Sequence, residues 1–182
     1  MEWVIVALEE QHQPLFKKLD LPPNTTYTLT AYETTKSRDE LHARIRNAHI
    51  IIVTTVKLDA ETLSHSVTPN LRYVIVSATG TDPVDLEACE SRAVRVCNCP
   101  GANLESVSEH AISLYFAARR RTVLLDQVTR RQPSEWKQNG SVNTYLRLPD
   151  GKTPLTCGDE VLGIVGYGGL GTCCWILRRN ED

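Results

Sequence analysis

The chain has 182 residues, 41% of them hydrophobic and 23% charged, with a net charge of −2, a composition of folded globular proteins rather than disordered ones. The near-neutral charge argues against a nucleic-acid partner held by counterion release. No apolar run approaches the roughly 20 residues needed to cross a bilayer, so no membrane partner is expected.

Strand and helix patterns alternate from the first residues. Trp3–Leu8 is an apolar run that reads as a strand, and the polar stretch after it carries Leu15, Phe16 and Leu19 at helical spacing. Tyr27–Tyr32 is β-branched and aromatic, which predicts a strand. Ser37, with Glu40 three residues on, reads as a capping box that opens a helix with Leu41, Ile45 and Ala48 on one face. Ile50–Val53 predicts a third strand buried on both faces, and Asp59 the cap of a short helix. Tyr73–Val76 and Val94–Cys97 predict the fourth and fifth strands, with a helix from about Asp85 between them. Repeated βα units with continuous apolar strands predict an α/β fold, a doubly wound parallel sheet of flavodoxin type.

Beyond the sheet the pattern changes. Apolar positions from Leu104 to Arg130 predict one helix of about 40 Å, too long for a crossover and suited to bridging two domains or subunits. Residues 132–159 are rich in turn signals. Val161–Val165 then reads as a short buried strand that runs into Gly166-Tyr167-Gly168-Gly169-Leu170-Gly171. That is G-x-G-x-x-G behind a strand, the phosphate-binding turn of a dinucleotide-binding unit. The alternative is a glycine-rich loop without a ligand.

Two further loops end strands of the sheet, where open α/β folds bind ligands. Ala78-Thr79-Gly80 follows the fourth strand and is either an anion-binding turn or an ordinary strand-to-helix turn. Val56-Lys57 follows the third strand, where a lone lysine is either an anion contact or a surface charge. Asp85 reads as a helix cap rather than as an acid paired with Asp82. None of the five histidines has a partner at a spacing that supports catalysis, and Glu109 and His110 are adjacent, so on a helix they do not face each other. The six cysteines form no C-x-x-C pair, so no structural metal is expected. Free thiols and an N-terminus without a signal-peptide pattern place the chain in the cytoplasm.

Ser77–Asp85 with G-x-D-x-x-D, Asn98–Gly101 with N-x-P-G, Ser106–His110 with S-V-x-E-H, and Gly163–Gly171 occur in that order. Together they resemble the D-isomer-specific 2-hydroxyacid dehydrogenases, in their glycerate dehydrogenase-like branch. The resemblance implies an oxidoreductase that moves hydride between NAD or NADP and a D-2-hydroxy or 2-oxo acid, usually as a homodimer. Residues 1–100 would be the flavodoxin-like substrate domain without its C-terminal return segment, and residues 101–182 the first part of the NAD(P)-binding Rossmann domain. It implies substrate contacts at Val56, Lys57, Ala78, Thr79, Gly80 and Asn103. It implies cofactor contacts at Val107, Gly166, Tyr167, Gly168, Gly169, Leu170 and Gly171.

In that family the catalytic arginine, its acid partner and the histidine lie beyond the glycine turn. Thr172–Asp182 looks unlike the family's next helix, so no catalytic residue is assigned and a truncated, inactive chain is expected. NAD affinity no better than about 1 mM is expected with it. The alternative reading is a non-catalytic, dimerising interaction protein derived from the family. NAD against NADP, and the identity of the hydroxy acid, stay open.

Overall fold

The structure, a computed structural model, describes residues 2–14, 19 and 22–179, with side chains up to Trp175 in the last helix. It divides into two compact units, Met1–Ala102 and Asn103–Asp182.

The first unit is a five-stranded sheet with helices, an α/β fold. Its strands are β1 (Glu2–Ala7), β2 (Thr26–Ala31), β3 (Ile50–Val53), β4 (Tyr73–Val76) and β5 (Arg95–Asn98). They lie in the order β2-β1-β3-β4-β5, and every pairing is parallel. Parallel neighbours need crossovers, and two of them carry α1 (Arg38–Ile45) and α2 (Leu86–Ser91). Side chains alternate across the sheet with period two. Val6, Ile51, Val53, Val74 and Val76 face a large core with Leu41 and Ile45 of α1 and Cys89 of α2. Ile5, Ala7 and Ile52 face a smaller cluster with Trp3, Leu29 and Ile75.

The local signals act as the residue chemistry dictates. Ser37 Oγ accepts the Glu40 N–H at 3.2 Å, and Asp85 Oδ1 accepts the Ala88 N–H at 2.9 Å. The Glu40 carboxylate reaches one residue farther back than a standard capping box and accepts from Lys36 N. Leu41, Ile45 and Ala48 are buried as expected. After Asp59 there is no helix. Its carboxylate caps Thr62 N, but the segment runs as successive turns. The helix expected around Leu15 and Phe16 falls outside the described residues, with a single 3-10 turn at Glu10–His12 before it.

The second unit corrects three expectations. The long helix is two: α3 (Leu104–Arg119) and α4 (Thr122–Arg130). The break falls at Arg121, whose φ of 50° is left-handed and cannot continue an α-helix. Its guanidinium donates to Tyr145 O at 2.8 Å, a distant contact that rewards the break. A short α5 (Glu135–Asn139) follows. Val161–Val165 is not a strand, because no other described segment pairs with it; Val161 and Val165 are fully exposed. Beyond the glycines the chain is helical after all, as α6 (Gly169–Arg179). That helix packs on α3, with Ser108 Oγ donating to Leu170 O at 3.5 Å. Arg119 and Tyr115 of α3 both bind Glu160, at 2.5 and 3.0 Å, which ties the approach to the glycine turn onto the same helix.

Candidate functional site

Parallel strands deliver all their following loops to one edge of a sheet. At that edge the loops after β3 and β4 enclose a cavity of about 310 Å³, lined by Thr54, Thr55, Lys57, Ala78, Gly80, Asp82 and Pro83. Lys57, Ala78 and Gly80 are thus brought together. The side chain of Val56 packs against the core and lines a second hollow beside α1, with Lys36, Arg38 and Leu41; Lys57 borders both hollows. Thr79, between Ala78 and Gly80, is not among the residues that line the cavity.

The β4 loop is held from the far side. Cys99 N donates to Ala78 O at 3.0 Å, and Asn98 Nδ2 donates to Thr79 O at 2.7 Å. In a trans peptide C=O and N–H point opposite ways. Pinning those carbonyls to the end of β5 therefore turns the N–H groups of the same two peptides away from β5. Asp82 lines the cavity as well. A Cβ built on Gly80 would meet Asp82 Oδ2 at 2.5 Å, so the glycine leaves room for that carboxylate.

The β3 loop is organised by a residue that sequence spacing does not mark. Glu9, just beyond the end of β1, is 3% exposed. Its Oε2 accepts N–H groups from Thr54 at 2.7 Å, Thr55 at 2.7 Å and Val56 at 3.1 Å, while Oε1 accepts the Thr55 hydroxyl. Burial pushes the Glu9 carboxyl up, but the Thr55 hydroxyl and the three N–H groups outweigh it and hold the group below its ordinary 4.5. The carboxylate is therefore charged at neutral pH. What it adds to stability is complete above pH 4.5 and is lost as pH falls through the lowered value.

The remaining candidates lie in the second unit. Asn103 precedes α3, and its carbonyl accepts Val107 N at 3.0 Å; Val107 is exposed on that helix. Gly166 has φ +90°, a conformation open to glycine. A Cβ on Gly171 would sit 2.3 Å from Gly166 O, so only glycine lets the helix start this close to the turn. Gly168 faces open space. Gly169, Leu170 and Gly171 form the first turn of α6, whose N–H groups have no acceptor within the helix. Gly168 O accepts both N and Oγ1 of Thr172 at 3.0 Å. An open glycine before a helix N-terminus fits a pyrophosphate. Tyr167 is exposed.

The histidines have structural partners or face solvent. His49 Nδ1 accepts Val4 N at 3.0 Å, His42 meets Thr62 Oγ1 at 3.1 Å and His110 is exposed. None lines the cavity. Among the described residues there is no helix long and apolar enough to cross a membrane, and no cluster of potential metal ligands.

Residues 3–168 match the sequence pattern of the D-isomer specific 2-hydroxyacid dehydrogenase catalytic domain. The chain belongs to the D-isomer-specific 2-hydroxyacid dehydrogenase family. Glycerate dehydrogenase of Methylorubrum extorquens is 32% identical over 158 residues, which are 87% of this chain and 47% of that protein. A glyoxylate/hydroxypyruvate reductase of Arabidopsis thaliana is 29% identical over 168 residues, 92% of this chain and 49% of the relative. The chain spans about half the length of these curated relatives. In fold it is similar to D-lactate dehydrogenase from Aquifex aeolicus, solved with NAD and lactic acid, at TM-score 0.67 and 20% identity. That match covers 97% of this chain and 48% of the other. An acyclic imino acid reductase, solved with NADPH and D-Arg, gives TM-score 0.66 at 19% identity over 99% of this chain and 53% of the other.

The two glycines of the turn make opposite demands. Gly171→Ala places a methyl group against the Gly166 carbonyl and is expected to cost about 1–3 kcal/mol of overpacking strain. Gly168→Ala, in open space, is expected to change stability by less than about 1 kcal/mol. Urea unfolding of both variants checks the pair, and equal effects would contradict the close approach.

Proposed function

We propose that the first unit carries a carboxylate-binding wall and the second a pyrophosphate-binding turn of a D-2-hydroxyacid dehydrogenase. Such an enzyme moves hydride between NAD(P) and a D-2-hydroxy or 2-oxo acid. The observation that carries the reading is the convergence of Lys57 with Ala78 and Gly80 on one cavity at the carboxyl edge of the sheet. Residues 1–100 then act as the substrate domain, and residues 101–182 as the first part of a Rossmann domain.

Each part has a physical task. Lys57 Nζ supplies the positive charge that draws in a small organic anion, and the Gly80 N–H orients its carboxylate. The α6 N-terminus, with open space at Gly168, holds phosphate by its dipole and its N–H groups. The family resemblance adds Asn103 as a substrate contact and Val107 as a cofactor contact. When bound, the nicotinamide supplies or accepts the hydride. The described residues around the cavity offer Lys57 and Asp82 as titratable groups and no histidine to exchange the proton. These 182 residues are therefore assigned a binding role and no turnover of their own.

Three measurements on the purified chain check this reading. Oxamate, a stable 2-oxo acid analogue, is expected to bind, and Lys57→Ala to weaken it about 10-fold, the loss of one charge-assisted contact. NAD and NADP are expected to bind no tighter than about 1 mM. Mixing with NADH or NADPH and glyoxylate is expected to give no oxidation of the nucleotide. Oxamate binding that ignores Lys57→Ala would contradict the assigned site.

The second unit also favours self-association. Among the described residues, Val128 is its one buried hydrophobic side chain, while every exposed large hydrophobic except Leu86 lies in it. Apolar surface left open to water on that scale is covered by a partner or aggregates. The expected partner is a second copy, and sedimentation velocity should give a dimer. A monomer at about 100 μM, a concentration that saturates any specific dimer of micromolar affinity, would contradict this.

A further inference from the structure

The β3 loop has a structural problem that its own residues do not solve. Thr54, Thr55 and Val56 turn three successive N–H groups in one direction, toward a single point beneath the loop. Successive amides aimed at one point form an anion-binding concavity. In many proteins such a concavity holds a ligand; here it holds Glu9, supplied from the end of the neighbouring strand β1. The register places Ala7 opposite Ile52, so Glu9 reaches the β3 end from the adjacent strand.

The same four-residue loop lines the cavity with Thr54, Thr55 and Lys57. We propose that Glu9 is a positioning residue: its carboxylate holds Thr54–Val56 in their curved form and thereby holds Lys57 at the cavity wall, without itself meeting ligand. This rests on the reading of that cavity as the carboxylate site.

The chemistry favours a glutamate at this position. Without an acceptor, three N–H groups and a hydroxyl would lose their partner, and the loop would open to recover bonds with water. A glutamine is isosteric and can still accept the N–H groups through one oxygen while its amide donates to Thr55, but it lacks the charge that strengthens those bonds. An aspartate falls short by one methylene, about 1.5 Å. The order of loop order should therefore be Glu, then Gln, then Asp.

Amide hydrogen exchange by NMR, paired with oxamate titration of the intact 182-residue chain at pH 7, tests the proposal. In Glu9→Gln the Thr54, Thr55 and Val56 amides are expected to exchange about 10-fold faster while those of Val74 and Val76 stay unchanged. Oxamate affinity should fall about 5-fold or more, and Glu9→Asp should do worse on both counts. Thr55→Val, at an exposed position, removes one donor to Glu9 and should speed exchange at Thr54 and Val56 about 3-fold. It serves if Glu9→Gln does not fold. Unchanged loop exchange in the variants would overturn the proposal, as would faster exchange with unchanged oxamate affinity. A wild-type chain that binds no oxamate at all would overturn the carboxylate reading and Glu9's part in it. The exchange data would still judge what Glu9 does to the loop.

Discussion

Parallel pairing is the constraint on which the rest of the first unit depends. With Val53 opposite Val76 and Val76 opposite Asn98, β3, β4 and β5 end level with one another, and β1 ends one residue earlier, with Ala7 opposite Ile52. Their loops then have no choice but to meet at one edge. Lys57 from one loop, Gly80 from the next and the Asn98 side chain at the end of β5 act together only because of that alignment. The apolar residues that β1, β3 and β4 present to both faces of the sheet bury these strands in its middle.

That edge also explains why a charge can be buried there. The N–H groups at the carboxyl ends of parallel strands have left the ladder and need acceptors. Glu9 supplies one from within the chain, whereas the carbonyls of the β4 loop are held by the Asn98 side chain and the Cys99 N–H.

How much of this was legible in the sequence follows from the range of each signal. The strands, the Ser37 and Asp85 caps and the meeting of Lys57 with Ala78 and Gly80 rest on patterns a few residues long, or on the rule that parallel strands share an edge. Glu9 rests on partners 45 to 47 residues away and follows an apolar run as any solvent-facing acid might. The break at Arg121 is set by a contact with Tyr145, so a run of three arginines does not announce it. Val161–Val165 has the composition of a strand, but a strand exists only through a neighbour. The helix after Gly171 was obscured because Thr172-Cys173-Cys174 carries weak helix propensity, which packing against α3 overrides.

The central claim is that a 2-oxo carboxylate enters between the β3 and β4 loops. Mapping oxamate by amide chemical shifts on the intact chain tests it most directly. The account predicts saturable shifts confined to the first unit and centred on Thr55, Lys57, Thr79 and Gly80. Shifts centred on the hollow beside α1, at Lys36, Arg38 and Val56, or no shifts at saturating oxamate, would contradict it.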